Sequence, residues 1–292
     1  MRWPSHVNWL LVLLAAWGVP VAYPHSYLFS LFFWALPVVL LLPDVLNETR
    51  SGTSRRRRAL LYATGWIVAL GLLLDFGIGH RVLTFQAQWY WFYVGSIPIE
   101  EVLFYILAPA AILLVYAWSD EHWLKAYNRG DARQHALREL PPLIEMSPRL
   151  VEVAVGLLGV ILVIARWSHG EWRMPLYPTF LTVAAFVPIV STYRAVNRFV
   201  NWRAFGLTTS FAIGTSLAHE VTLALPRGWW GYQSDQTLGL FIDAWSTKYS
   251  VFPVEAAFVW IAGPFSSVLT YEWFKAYLHH PASRRKARLF GP

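Results

Sequence analysis

Residues 96–109 read SIPIEEVLFYILAP, so that two adjacent carboxylates, Glu100 and Glu101, stand at the head of a long apolar run. An ionised acid in hydrocarbon is costly because it loses its hydration, and acids so placed are candidates for function. A weaker copy, VFPVEAAFVWIAGP, occupies residues 251–264 and repeats the Pro-x-Glu start. The repetition predicts two related halves, each with one acid-headed helix.

The composition is that of a membrane protein. Of 292 residues, 56% are hydrophobic and only 14% are charged, whereas a soluble domain carries about 25% charged residues. Apolar runs near 20 residues recur, which predicts an all-α integral membrane protein. The chain has no cysteine, which excludes disulfides, thiolate metal sites and cysteine nucleophiles.

The apolar runs and the turn-forming residues between them predict about eight transmembrane helices in two parallel four-helix repeats. The domains expected are a first repeat over 1–118, a cytoplasmic linker over 119–149, a second repeat over 150–278 and a basic cytoplasmic tail over 279–292. Arg2 ahead of the first span leaves a signal peptide as an alternative, although no A-x-A cleavage site follows. The predicted spans are 8–23, 27–43, 59–75, 98–118, 150–166, 175–193, 204–220 and 253–273.

The basic residues give the predicted orientation. With both termini in the cytoplasm, cytoplasmic segments hold 19 of the 24 Lys and Arg residues, as the positive-inside rule requires. The placement of these residues thus explains the net charge of +7 by orientation in the cytoplasmic (inner) membrane. No nucleic-acid partner is expected. Because each half has an even number of spans, the halves share one orientation. The five basic residues left outside are Arg81, Arg166, Arg173, Arg227 and Lys248.

Acidic residues converge on the outer face in this scheme. Each half has an acid at the end of its third span, then an aromatic loop, then re-entry at Pro98 or Pro253. A helix head favours an ionised acid and a helix C-terminus opposes it, so two acid environments are expected. The alternative is that the acids cap helices or pair with Arg81 and Arg227. The five candidate catalytic acids are Asp75, Glu100, Glu101, Glu220 and Glu255.

The Pro-Ile-Glu-Glu-x-x-Phe helix head, preceded by an acid-ended span and a Trp-rich loop, resembles the lycopene cyclase domain. Here the resemblance is to the fused tandem form of that family and covers most of the chain outside linker and tail. Its motif acids map onto Glu100 and Glu101, and onto Glu255 in the second copy. Ala256 replaces the second glutamate of that copy and Val259 replaces the expected Phe. These departures leave open a weaker second copy or a different carotenoid end group.

The resemblance implies carotenoid biosynthesis by redox-neutral, acid-catalysed cyclisation of lycopene-type end groups to β-ionone rings. An acid protonates a terminal double bond, a neighbouring double bond attacks the tertiary cation, and proton loss completes the ring. In this expectation Glu100 and Glu101 supply the acid–base pair, and Gln at either position abolishes cyclisation. Aromatic residues can stabilise the cation. The expected substrate-binding residues are Pro98, Phe104, Trp89, Trp91, Trp229, Trp230 and Pro253.

Other membrane classes fit less well. The chain has no Asp-rich diphosphate motif for a prenyltransferase, and its lysines lie at or beyond span ends, unlike a retinal-binding lysine. A carotenoid end-group hydratase, another carotenoid-modifying membrane enzyme and a proton-coupled transporter remain as alternatives. A host that accumulates lycopene separates them by a cyclic product, a hydroxylated product or no change.

No cofactor is expected. The sequence has no dinucleotide-binding G-x-G-x-x-G unit, and His219-Glu220 and His279-His280 lack the further ligands of a metal site. Activity is therefore expected without added nucleotide or metal. The expected partners are a lipophilic polyene and the lipid bilayer, and the sequence leaves open whether the chain forms a homo-oligomer.

Overall fold

A computed structural model describes residues 27–46, 53–85, 90–120 and 175–279. This part of the chain is mainly helical, with four strands of two or three residues. The helices are α1 (Tyr27–Ser30), α2 (Phe32–Leu46), α3 (Thr53–Leu74), α4 (His80–Val82), α5 (Ile99–Trp118), α6 (Leu176–Leu181), α7 (Val187–Val196), α8 (Trp202–Ser216), α9 (Leu225–Arg227) and α10 (Val254–His279). The strands are β1 (Leu83–Phe85), β2 (Tyr93–Val94), β3 (Ile97–Pro98) and β4 (Trp230–Tyr232).

Four of the described helical stretches are long and apolar enough to cross a membrane: Arg56–Val82, Ile99–Trp118, Leu176–Val196 and Val254–Leu278. A shorter apolar helix covers Phe32–Pro43. Large apolar side chains stand exposed on the outer faces of these helices, as a lipid-facing surface requires. Examples are Val39, Leu61, Leu73, Val187 and Val190.

Parts of the predicted organisation lie outside the described residues. These are the predicted spans 8–23 and 150–166, nearly all of the linker 119–149 and the tail after residue 279. The other six predicted spans coincide with described helices to within a few residues, except at the ends of spans three and seven.

Three long helices contain a π-helical segment, at Asp75–Gly79, Thr182–Phe186 and Leu217–Ala224. Predicted spans three and seven were wrong at this point, because the helices do not end at Asp75 and Glu220. Each continues through its π segment into α4 or α9. Gly77 and Gly79, which suggested a break, lie inside the helix. Both acids therefore stand within a helix, where the wider turn sets the direction of their side chains.

The two Pro-x-Glu segments begin helices, as predicted. Pro98 is extended and precedes α5, and its ring has no N–H to leave unpaired. Ahead of it, β2 and β3 form a hairpin that pairs Tyr93 with Pro98. Gly95 turns this hairpin with a φ of 63°, a conformation that favours glycine. Glu100 Oε1 accepts the Trp91 backbone N–H at 3.0 Å, which ties the hairpin to the helix.

A two-stranded antiparallel ribbon joins the two halves. Strand β1 follows the acid-bearing helix of the first half and β4 follows that of the second. Leu83 pairs with Tyr232 and Phe85 pairs with Trp230. Because corresponding segments pair with each other in opposite directions, the acid-bearing helices converge beneath the ribbon.

The hydrophobic core lies between α2, α3, α5, α7, α8 and α10. At the helix ends opposite the ribbon it meets a polar cluster. Tyr116 donates to Glu272 at 3.0 Å and Lys275 donates to the same carboxylate at 2.6 Å. Asn201 donates to Asp120 at 2.9 Å. The two ends of the bundle thus differ: this one has a lysine beside its carboxylates, and the ribbon end has a cavity.

Candidate active site

A cavity of about 240 Å³ lies beneath the ribbon between the long helices of both halves. Its lining is mostly apolar and aromatic, with acids at the ribbon end. Along α10 the lining runs from Ala256 to Thr270, about 21 Å at 1.5 Å per residue. Pro109 and Pro264, the last residues of the stretches 96–109 and 251–264, both line it. A proline inside a helix frees the carbonyl four residues earlier and bends the helix. The cavity is elongated, with its carboxyl groups at one end.

Asp75 occupies the first position of its π segment and lines the cavity. Its side chain is buried, and no described residue donates a hydrogen bond to either carboxyl oxygen. Gly79 lies against the carboxyl so closely that a Cβ there would overlap it. A buried carboxylate without a donor is costly, so this group is suited to carrying a proton.

Glu101 lines the same end of the cavity from the first turn of α5. Tyr27 in α1 donates its hydroxyl to Glu101 Oε2 at 2.7 Å, and both residues are buried. The Tyr27 ring is held in turn by Trp229, with ring centres 5.9 Å apart. Glu101 therefore has one fixed donor, where Asp75 has none among the described residues.

Glu220 reaches the cavity from the second half, in the π segment Leu217–Ala224. Tyr232 donates its hydroxyl to Glu220 Oε1, and Trp260 Nε1 donates to Oε2 at 3.0 Å. Donors on both oxygens favour the ionised carboxylate. Burial, and then the nearby Glu220 carboxylate, raise the pKa of Tyr232 above its usual 10.0, so its hydroxyl keeps the proton that it donates.

Glu100 and Glu255 do not line the cavity. Glu100 accepts the Trp91 amide, and Glu255 Oε1 accepts the Leu238 amide of the loop before α10. The first glutamate of each Pro-x-Glu head thus holds a backbone amide of the preceding loop. The residue after it faces the cavity in both halves, as Glu101 in one and Ala256 in the other.

The candidate aromatic residues fall in different places. Phe104 and Trp230 line the cavity. Trp229 is fully buried, stacks on Tyr27, and accepts the Tyr90 hydroxyl on its carbonyl oxygen. Trp91 is 73% exposed, and Trp89 lies outside the described residues. Neither Pro98 nor Pro253 lines the cavity, and each instead precedes a helix.

Four further residues at the acid end were not among the candidates. Tyr27, Tyr232 and Trp260 donate to carboxylates, and His219 lines the cavity beside Glu220. No spacing in the sequence connects Tyr27 with Glu101, which lies 74 residues later. His219 is visible in the sequence as half of a His-Glu pair, a pattern that suggests metal binding before it suggests a base.

Cationic side chains do not neutralise these acids within the described part of the chain. Arg227 donates to the carbonyl oxygens of Thr222 and Leu223 at 3.3 and 3.4 Å. Neither Arg227 nor Arg81 forms an ion pair with a cavity carboxylate among the described residues. Within the same residues no group of three His, Cys, Asp or Glu side chains is placed to hold a metal ion. The arrangement can hold and move protons in an apolar chamber.

No protein-family model, curated protein or solved structure matches this chain. The fold, the cavity and the chemistry of its lining therefore carry the functional argument.

Proposed function

We propose that this chain is a membrane enzyme of carotenoid biosynthesis that cyclises linear, lycopene-type end groups by protonation. The observation that carries the proposal is one apolar cavity lined by acids from both halves: Asp75 and Glu101 from one and Glu220 from the other. Cyclisation of a polyene is redox-neutral and needs a proton donor, a counter-anion and a dry chamber. The cavity lining contains acids, which can act as donor and counter-anion, and apolar and aromatic residues, which exclude water.

The three acids divide between two roles. Two carboxyl groups at one apolar site do not both ionise readily, so the Asp75–Glu101 pair holds a proton. Asp75 is the donor, because no described residue holds either of its oxygens in a hydrogen bond. Glu220, with Tyr232 and Trp260 as donors, is the anion that stabilises the carbocation. This assignment replaces the Glu100–Glu101 pair expected from the sequence, since Glu100 faces the hairpin.

Aromatic faces near the acids support a cationic intermediate. Phe104, Trp230 and Trp260 all line the cavity. The negative face of an aromatic ring attracts a cation without donating a lone pair that would trap it. Water excluded by this lining cannot capture the cation, which favours a ring over a hydroxylated product.

The cavity dimensions support entry of an end group, with the rest of the polyene outside the chamber. About 240 Å³ lies below the range of roughly 300–1,000 Å³ typical of drug-sized ligands. Trp66 lines the cavity and is also 55% exposed on the outer face of α3. The cavity thus approaches the lipid-facing surface there, where the long apolar tail of the substrate would leave the protein.

The proposal includes the full topology: eight spans in two parallel repeats in the cytoplasmic membrane, with both termini cytoplasmic. Its support is the excess of Lys and Arg in the segments assigned to the cytoplasm. Reporter fusions after residue 130 and at the C-terminus should both report the cytoplasm. An external signal from either fusion contradicts the topology.

Pigment analysis of a lycopene-accumulating host tests the function. Expression of the wild-type chain should convert lycopene to compounds with one or two β-ionone rings. A hydroxylated acyclic product would indicate the hydratase alternative, because water would have captured the same cation. Unchanged lycopene, with the protein present in the membrane, contradicts the proposal and leaves the transporter alternative.

A further inference from the structure

His219 lies in the π segment of the second half, immediately before Glu220. It is 2% exposed and lines the cavity. The roles proposed for the three cavity acids leave this buried imidazole without a role. Its hydrogen bonds decide what the ring can do.

A chain of hydrogen bonds fixes the tautomer of His219. Ser30 Oγ lies 2.9 Å from His219 Nε2 and 2.6 Å from the Tyr27 carbonyl oxygen. The single hydroxyl proton of Ser30 is donated to that carbonyl, so Ser30 must accept a proton from His219. Nε2 therefore carries the hydrogen, and Nδ1 of the neutral ring carries a lone pair. No described residue donates to Nδ1.

Aromatic neighbours hold the ring in this orientation. Phe104 stacks nearly parallel to it, with ring centres 5.9 Å apart and planes at 8°. The ring centres of Trp230 and Tyr27 lie 5.2 and 5.9 Å away. Phe104 and Trp230 also line the cavity. A basic nitrogen is thus fixed among the rings where the cation would form.

We propose that His219 is the base that removes the proton from the ring cation, an assignment that rests on the cyclisation proposed above. The carboxylate beside it is less suited to that step, because the hydrogen bonds that Glu220 accepts on its two oxygens stabilise its ionised form. The Nδ1 lone pair has no such donor among the described residues. Glu220 then steadies the charge while His219 ends the reaction.

The step balances without a further reagent. Asp75 gives its proton to the terminal double bond, and the neighbouring double bond closes the six-membered ring and leaves a cation on a ring carbon. His219 Nδ1 takes a proton from an adjacent carbon, and the electron pair of that C–H bond becomes the ring double bond. Proton transfer from His219 to Asp75 restores both groups. The position of His219 therefore selects which hydrogen is lost, and with it the place of the ring double bond.

The test is the His219→Gln variant in a lycopene-accumulating host, with ring isomers separated and yields normalised to protein in the membrane. The glutamine amide can still donate to Ser30 but has no basic nitrogen. We expect β-ring yield to fall about 10²–10⁴-fold, with the remaining product enriched in other ring isomers or hydroxylated end groups. His80→Gln is the matched control, since His80 is exposed near the ribbon and does not line the cavity.

The outcomes separate the two proposals. Wild-type cyclisation with unchanged yield and isomer pattern in His219→Gln overturns the assignment of the base alone. A wild-type chain that forms no ring overturns the cyclisation and this assignment together. If His219→Gln is absent from the membrane, Ser30→Ala serves as the second test. That variant removes the hydroxyl that fixes the proton on Nε2, so the share of other ring isomers should rise. An unchanged share overturns the assignment.

Discussion

The two acid-bearing helices share a layout and differ in the partners of their acids. Each carries its acid in a π segment, continues through a short helix and ends in a strand of the same ribbon. Asp75 has no hydrogen-bond donor among the described residues, whereas Glu220 has a donor on each oxygen. The two helices thus place in one cavity a carboxyl group with no described hydrogen-bond donor and a carboxyl group with two donors.

This difference in hydrogen-bond partners is the basis for the proposed roles of Asp75 as proton donor and Glu220 as anion. The donors to Glu220 lie outside its helix, since Tyr232 comes from β4 and Trp260 from α10. Gly79, within the helix of Asp75, has no Cβ and so leaves room for the Asp75 carboxyl. Substitutions of the two acids and of the residues beside them can test this contrast.

The largest effect is expected from the donor side. Asp75→Asn and Glu101→Gln should each lower ring formation about 10²–10⁴-fold, the usual result of losing an acid–base group. Asparagine at position 75 cannot donate the proton that begins cyclisation, and glutamine at position 101 removes the carboxyl that shares this proton with Asp75. The measurement is cyclic carotenoid per amount of membrane protein. Glu100→Gln is the matched control, because its amide oxygen can still accept the Trp91 N–H and it lies outside the cavity. Equal losses in Glu100→Gln and Glu101→Gln would remove the distinction between the two glutamates.

A smaller loss is expected from the anion side. Glu220→Gln keeps an oxygen for Tyr232 or Trp260 but removes the charge that steadies the cation. Loss of one preorganised electrostatic group typically costs about 10²–10³-fold, so residual activity should exceed that of Asp75→Asn. The two variants are compared by initial rates of lycopene loss in isolated membranes. A complete loss of activity in Glu220→Gln, with activity retained in Asp75→Asn, would reverse the proposed roles of Asp75 as donor and Glu220 as anion.

The glycines beside Asp75 offer a steric test within one π segment. A Cβ at Gly79 would overlap the Asp75 carboxyl, while a Cβ at Gly77 meets nothing within 4 Å. Gly79→Ala should displace the acid and lower the rate by up to about 10²-fold, since small misplacements can cost that much. Gly77→Ala should keep the rate and stabilise the helix by about 0.5–1 kcal/mol. Rates and thermal unfolding in detergent check both, and matching rates for the two variants would show that the position of Asp75 does not matter.

The smallest effect is expected from one donor to the anion. Tyr232→Phe removes the hydroxyl that donates to Glu220 Oε1, and Trp260 remains on Oε2. A hydrogen bond to a charged group contributes about 1.5–3 kcal/mol; because Trp260 still supports the anion, we expect a loss at the lower end of this range, roughly tenfold in rate. Tyr249→Phe, at an exposed tyrosine of the same loop region, is the control. A rate unchanged by Tyr232→Phe would mean that Glu220 needs no support from this residue.

Local signals made much of the fold predictable. Apolar runs marked the long helices, and the Pro-x-Glu heads marked the starts of α5 and α10, each of which begins directly after its proline. The continuation of the helices beyond Asp75 and Glu220 was not predictable in this way. Glycines and acids in sequence are typical of a helix end, whereas packing between the halves keeps the backbone helical through a wider turn.

The candidate site was predictable as a set of acids and less so as an arrangement. Of the five acids expected at one end, Asp75, Glu101 and Glu220 line the cavity. Neighbouring glutamates face different directions: Glu101 the cavity and Glu100 the hairpin. Sequence spacing could not separate them, since both lie in the first turn. Contacts such as Tyr27 with Glu101 and Ser30 with His219 join distant segments, so only the packed structure identifies them.

The π segments carry a consequence for insertions and deletions. A π turn contains an extra residue, so the helix after it is rotated relative to a regular α-helix. Loss of a single residue within the π segment Leu217–Ala224 could be absorbed by a return to α-helical winding, which would leave the direction of Glu220 nearly unchanged. Loss of a single residue from the regular helix α8 before it would instead turn Glu220 by about 100° around the axis. The carboxyl would then leave Trp260 and the cavity even though no side chain at the site had changed. Chain length in α8 is therefore constrained as tightly as side-chain identity at the site.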